Sequence, residues 1–329
     1  MDFQNQKDVL ICDRAECNHD KESCAAYFDG MVYPILEEDR IIYISDYEAQ
    51  QVGQWGVYSC DVNGENRKLE IDLGECDIQM INYIIWKDSK IYLEYYNQYD
   101  ENYMDLDENV TGIACVDREN ETVSILYESK ESQGDIGTVW LTDSGIYFSL
   151  TFNDNPSNAI DDFFNNEDRT VEDYEKIIDN IHGDICMLKA DGKVEKILTD
   201  LKNPGDFYTT TEGELYYIVD GNKLLNQKGD VLMESSSLMF GNYYGGDRIY
   251  IRDIKEDTTL WNELDGESGK SLSRVEFPEN EYMVSGVTGD MVYGLKLLDD
   301  GETAFGFWDI EDWKNGDADS FKIVQGQGL

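Results

Sequence analysis

The residue types best suited to chemistry cluster near the start of the chain. Cys12, Cys17, His19 and Cys24 follow the spacing C-x4-C-x-H-x4-C. Three thiols and an imidazole within 13 residues can supply the four donors of a tetrahedral zinc site. The spacing departs from the C-x2-C knuckles of common zinc modules. One disulfide with a spare thiol and a surface His19, or three reduced thiols, fits the same residues. A catalytic thiolate is disfavoured, because Asp13, Glu16 and Asp20 would raise a thiol pKa rather than lower it. The expectation is that Cys12, Cys17, His19 and Cys24 form one unit, by metal or by disulfide, that pins an N-terminal segment, residues 1–28.

Other candidates are weaker. Gly266-Glu267-Ser268-Gly269-Lys270-Ser271 resembles a phosphate loop but has two residues between its glycines where four are needed, so it reads as a hairpin turn. Asp105-Leu106-Asp107-Glu108-Asn109 alternates like a calcium loop, yet Val110 and Val116 stand where an EF-hand wants Gly and Glu. A calcium site of another kind stays open there, against a solvated acidic loop. Asp309, Asp312, Asp317 and Asp319 read the same way. With two histidines, His19 and His182, and no H-E-x-x-H or G-x-S-x-G, the common His-dependent hydrolase sites have no motif. Paired carboxylates could hydrolyse glycosides, but 70 acidic residues make chance pairs too frequent to name one.

The charge balance, 26 basic against 70 acidic residues for a net −44, excludes a nucleic-acid binder, which needs clustered Lys and Arg to displace counterions. Disorder is excluded as well, since 41% of residues are hydrophobic and 12% aromatic. A globular protein with so acidic a surface repels itself. Its melting temperature should therefore rise as salt shortens the screening length to about 8 Å near physiological strength. A melting temperature that stays flat or falls with added salt would contradict this. No stretch is apolar enough to span a membrane. Met1-Asp2-Phe3-Gln4 shows neither a basic nor an apolar leader region, so the chain reads either as cytosolic or as starting after a removed leader.

What would position any site is a repeat. Turn residues followed by an apolar-Tyr pair recur six times, with Tyr43, Tyr92, Tyr147, Tyr216, Tyr250 and Tyr293 as markers. Their separations of 49, 55, 69, 34 and 43 residues average 50, the size of a four-stranded propeller blade. A second alternating strand and a Gly-bearing or acidic turn follow most markers, as in Asn63-Gly64 and Asp191-Gly192. The reading is an all-β propeller of six four-stranded antiparallel blades in a single domain, 1–329. Residues 2–12 would either close the ring or belong to an incomplete seventh blade. The long interval holds apolar residues at 171, 174, 177, 178 and 181, which predicts a helical insertion (155–183) in the third blade. Its helix should run over about 168–182 with Tyr174, Ile177, Ile178 and Ile181 on the packed face. Cys60, Cys115 and Cys186 fall on third strands at equivalent positions, as small core residues.

The segment Cys12-Asp13-Arg14-Ala15-Glu16-Cys17-Asn18-His19, followed by Cys24-Ala25-Ala26-Tyr27-Phe28, resembles a motif of TolB-like propeller proteins, mostly lipoproteins or secreted proteins of gut Gram-positive bacteria. Arg14-Ala15 replaces the Lys-Pro usual there. The resemblance implies an extracellular or cell-surface location, with a cytoplasmic one as the alternative, and no established activity. The leading expectation is a monomeric, non-enzymatic binder of a peptide, glycan or protein, without nucleic acid or a transmembrane segment. The alternative is a carbohydrate-active lyase or hydrolase on the same scaffold. Zinc at Cys12, Cys17, His19 and Cys24, and calcium on the acidic loop, are the cofactors in question.

Overall fold

The computed structural model of the chain describes residues 32–323 apart from 38, 47–54, 99–108, 131–132, 156–158, 167–168, 203, 205, 242–247, 256–257, 279–280, 289 and 299–300. The Cys12, Cys17, His19 and Cys24 cluster, residues 2–12 and the calcium-like Asp105-Leu106-Asp107-Glu108 stretch lie outside the described residues.

Six four-stranded sheets follow one another along the chain. The first holds β1 (Val32–Glu37), β2 (Arg40–Ser45), β3 (Gly56–Asp61) and β4 (Lys68–Asp72). The second holds β5 (Met80–Lys87), β6 (Lys90–Asn97), β7 (Val110–Asp117) and β8 (Thr122–Lys130). The third holds β9 (Asp135–Leu141), β10 (Ile146–Asn153), β11 (Ile181–Leu188) and β12 (Val194–Lys202). The fourth holds β13 (Phe207–Thr209), β14 (Leu215–Val219), β15 (Lys223–Asn226) and β16 (Val231–Glu234). The fifth holds β17 (Leu238–Phe240), β18 (Arg248–Ile254), β19 (Thr258–Asp265) and β20 (Ser271–Pro278). The sixth holds β21 (Tyr282–Thr288), β22 (Met291–Leu297), β23 (Thr303–Asp309) and β24 (Lys322–Ile323). These are the blades of a six-bladed all-β propeller with very little helix. Each marker Tyr sits on the second strand of its blade, as the repeat predicts.

The chain divides into two compact units, one reaching to Val139 and the other comprising Trp140–Asn155 and the described residues from Ala159. In the first unit, Ile42, Ile44 and Val57 of the first blade meet Ile91, Leu93 and Tyr95 of the second in one buried cluster. Arg118, just after β7, forks onto both carboxylate oxygens of Glu37 at the end of β1 and ties the same two blades. That pair holds the Glu37 carboxyl below its usual range, chiefly through the guanidinium hydrogen bond. In the second unit, Tyr147, Ile185 and Met187 pack on Phe207 and Tyr217. Tyr216, Ile218 and Leu224 pack on Ile249 and Ile251, and Tyr250 and Trp261 pack on Trp308 and Trp313. Within each unit, consecutive blades therefore bury apolar faces on one another, which is what strands apolar on both faces require.

The Gly-bearing turns are not the tight two-residue hairpins that Asn-Gly and Asp-Gly pairs favour. In Asn63-Gly64 and Asp191-Gly192 only the glycine has positive φ, +77° and +80°. Each glycine N–H returns to a carbonyl three residues back, from Gly64 to Asp61 and from Gly192 to Lys189. These are type I turns closed by a left-handed residue, not two-residue mirror-image turns.

Two helices, α1 (Ala159–Asn165) and α2 (Val171–Asp179), separate β10 from β11. The expected single helix over 168–182 is corrected at its end: α2 stops at Asp179, and Ile181 opens β11 opposite Asn153. Helical spacing includes Ile181, but ladder hydrogen bonds to β10 are the stronger claim on its backbone. Thr170 and Asp173 start α2 reciprocally. The Thr170 hydroxyl accepts from the Asp173 N–H at 3.2 Å, and the Asp173 carboxylate accepts from the Thr170 hydroxyl at 2.8 Å.

The third-strand cysteines need a second correction. Cys60, Cys115 and Cys186 do lie on β3, β7 and β11, but opposite Ile41, Tyr92 and Phe148. They therefore differ in register against the marker Tyr. Cys186 faces the other side of its sheet from Tyr147 because successive strand residues alternate. Cys60 and Cys186 are buried, and Cys115 is half-buried.

Candidate functional site

Among the described residues, the buried carboxylates Asp184, Asp253 and Glu263 are held by cations or hydroxyls. Asp184 of β11 pairs with Lys196 at 2.6 Å and accepts the Asp200 N–H at 3.1 Å. Glu263 of β19 meets Lys314 at 3.3 Å and accepts the hydroxyl of Ser273 at 2.7 Å. Both read as structural charges with their partners in place.

Glu94 on β6 is different. It is 2% exposed, and no cation or hydroxyl reaches it among the described residues. Its Oε1 accepts the side-chain amide of Asn82 at 3.2 Å, while no donor reaches Oε2 among the described residues. Burial pushes the Glu94 carboxyl up to about 8; the Asn82 amide opposes the rise, and the charge of Asp135 adds to it. At neutral pH this side chain carries its proton.

The surrounding elements explain the arrangement. In the ladder between β5 and β6, Ile81 faces Tyr95 and Tyr83 faces Glu94, so Asn82 is one residue too many. Such a bulge bends the strand and re-aims a side chain, here sending the Asn82 amide to Glu94. Tyr83, directly opposite Glu94, is 46% exposed. Asn82 and Asp135, the latter at the start of β9, are also exposed. The protonated carboxyl therefore has an exposed amide as its hydrogen-bond partner, an exposed Tyr opposite it in the ladder and an exposed carboxylate near enough to act on it by charge.

On the opposite face of β6, Tyr95 lies over Gly112 and donates to Glu128 at 2.6 Å. A Cβ at Gly112 would collide with the Tyr95 ring, so only glycine leaves that path open. This fastens β6 across β7 to β8 and holds the Glu94 backbone in place.

Neither Cys115 nor Cys186 is an activated nucleophile. Burial raises Cys115 and pushes Cys186 up to about 11. Gly266-Glu267-Ser268-Gly269-Lys270-Ser271 is a hairpin turn between β19 and β20, with the Ser268 N–H and hydroxyl donating to Asp265 at 2.9 and 2.6 Å. His182, the second residue of the third blade's β11, stacks on Phe152 opposite it, with its Nδ1 3.7 Å from Asp154. Of the C-terminal acids, Asp309 pairs with Lys322, and Asp312 lies within the short helix α3 (Ile310–Lys314).

The reading of sequence alone missed Glu94, Asn82 and Asp135. One signal was present: the positions two residues after the markers are Ser45, Glu94, Ser149, Ile218, Arg252 and Leu295. A carboxylate breaks the otherwise uncharged run Ile91-Tyr92-Leu93-Glu94-Tyr95-Tyr96.

No family model matches the chain, and no curated protein matches it in sequence. Among solved structures, the β-propeller domain of the Trilobed protease from Pyrococcus furiosus is similar, at TM-score 0.53 and 14% identity over 89% of this chain and 83% of that one. Pyrococcus horikoshii acylaminoacyl peptidase is similar at TM-score 0.54 and 12% identity, over 89% of this chain. The chain spans only 44% of that peptidase's length. An oligogalacturonate lyase in complex with manganese is similar at TM-score 0.52 and 10% identity, over 84% of this chain and 72% of that one. At these identities the likeness is one of fold.

Proposed function

We propose that this chain is a non-enzymatic binding protein, acting at or outside the cell surface, that takes an uncharged glycan at the Glu94 site. The observation that carries the reading is the buried Glu94 carboxyl with its unmatched Oε2, with the Asn82 amide on its Oε1 and the exposed Tyr83 opposite it in the ladder. A protonated carboxyl both donates and accepts, as does a sugar hydroxyl. A buried polar atom left without a partner costs about 1–3 kcal/mol; Oε2 is closed off from solvent here, so a sugar hydroxyl recovers that cost once the exposed Asn82 and Tyr83 side chains shift to admit it. The exposed Tyr83 ring offers a flat surface for a sugar ring. Exposed Asp135 and the net charge of −44 disfavour an anionic ligand. The outside location rests on the resemblance of the Cys12–Cys24 segment to secreted propeller proteins.

The test is a screen of neutral glycans and peptides at pH values about two units below and above the Glu94 midpoint. Binding should be present at the lower pH and weaken by tenfold or more (about 1.4 kcal/mol) at the higher one. Glu94→Gln should remove that pH dependence, because the amide keeps a donor and an acceptor. Ligand binding that is indifferent to both pH and Glu94→Ala would sink the proposal.

A second reading has a specific observation behind it. A carboxyl that keeps its proton beside an exposed carboxylate is how acid and base roles are divided in glycoside cleavage. The lyase among the structural neighbours acts, by its name, on oligogalacturonate. If bound glycans are cleaved, and Glu94→Gln and Asp135→Asn each abolish cleavage, the chain is a carbohydrate-active enzyme.

A further inference from the structure

The fifth blade carries a second polar site, separate from Glu94. On one face of this blade, Asp253 of β18 lies opposite Leu260 of β19, which in turn lies opposite Glu276 of β20. Arg274, two residues before Glu276 on β20, shares that face by strand alternation, and Lys255 follows just past the end of β18. Lys255, Leu260, Arg274 and Glu276 line a cleft of about 440 Å³, within the usual span of small-ligand sites.

The two cations here are held beside a buried carboxylate by charge rather than by hydrogen bonds, as Arg248 is beside Glu263 and Asp265. Asp253 is 5% exposed and accepts the Ser235 hydroxyl at 2.5 Å through Oδ1. Its Oδ2 is 3.9 Å from the Lys255 ammonium and 4.0 Å from the Arg274 guanidinium, beyond hydrogen-bond reach of either. Asp253 thus draws both cations to the cleft by charge while leaving their side-chain N–H groups unused among the described residues. Glu276 has no hydrogen-bond or ion-pair partner among the described residues. The cleft therefore offers cationic donors on one side, an unspent carboxylate on the other, and the edge of Leu260 between them.

We propose that this cleft binds the zwitterionic head of a free α-amino acid with an aliphatic side chain. Arg274 and Lys255 take the carboxylate, Arg274 through its planar fork, and Glu276 takes the ammonium. A dianion such as phosphate satisfies the cations but meets Glu276 as a like charge. An amino acid satisfies both sides, and its side chain lies against Leu260.

The experiment is calorimetric titration of the full chain with L-leucine, N-acetyl-leucine, leucinamide and inorganic phosphate. L-leucine should bind, and each blocked derivative should bind about tenfold or more weakly. Arg274→Ala should weaken L-leucine by a similar factor and leave leucinamide unchanged. Glu276→Gln should weaken L-leucine and leave N-acetyl-leucine unchanged. Both side chains are solvent-exposed, so the fold tolerates their replacement, and unchanged circular dichroism confirms it. The proposal is overturned if L-leucine fails to bind at millimolar concentration, if the blocked forms bind as well as the parent, or if phosphate displaces L-leucine. None of these readouts involves Glu94, so failure here leaves the glycan reading standing.

Discussion

Glu94→Gln should leave stability nearly unchanged near pH 5 and raise it by roughly 4 kcal/mol near pH 9. The folded-state carboxyl titrates at about 8, and its ordinary value is 4.5. Between those values the folded protein holds a proton that the unfolded chain has released. The stability this proton contributes is complete below about 4.5 and is lost as pH rises through about 8, because the folded state must then bury an uncompensated charge. Glutamine cannot ionise and keeps nearly the same shape, so the variant escapes that loss. Urea midpoints of the two proteins, compared at a series of pH values, isolate the effect from the many other carboxylates, which cancel in the difference. A difference that stays constant across the series would show that Glu94 is not buried as its partners indicate.

Trp313→Ala should cost about 3–5 kcal/mol, the range for removing a large aromatic side chain from a packed core. Trp313 is 0% exposed on a helix of only five residues. Its ring meets Tyr250 at 6.0 Å and Trp261 at 5.9 Å in edge-on arrangements, joining the last blade to the fifth. Trp308 beside it packs on Phe321 at 4.3 Å and Tyr282 at 5.3 Å, which closes the cluster around β24. The tryptophan cluster lies on the face of the fifth blade opposite the Lys255–Arg274 cleft. A loss below about 1 kcal/mol, with an unchanged denaturant slope, would show that α3 merely decorates the blade.

The difference between what was legible and what was not follows from the range of the interactions. Alternation, the marker Tyr and the Gly-bearing turns are local, and each blade is built from consecutive strands. The six second-strand tyrosines could therefore be placed from spacing alone. The end of α2 went the other way. Val171 to Ile181 fits helical periodicity, yet Ile181 is claimed by β10, a strand some thirty residues earlier in the chain. Likewise Asp309 to Asp319 reads as an acidic loop, while the structure turns part of it into α3 and buries Trp313.

By itself, then, the sequence determined the blade repeat, the strand count, the antiparallel order and an acidic surface unsuited to nucleic acid. All of these depend on residues within about fifty positions of one another, the period of the repeat. The tertiary structure decided which of the 70 acids is buried with no cation or hydroxyl on it among the described residues. Glu94 is singled out because a bulge at Asn82 takes up its one amide contact and the start of β9 sets Asp135 near it. The Lys255–Arg274 cleft is likewise assembled from β18 and β20, with Ser235 supplying the hydroxyl that holds Asp253. Burial and charge act through space, so the protonation of a carboxyl is fixed by neighbours that its own strand does not contain.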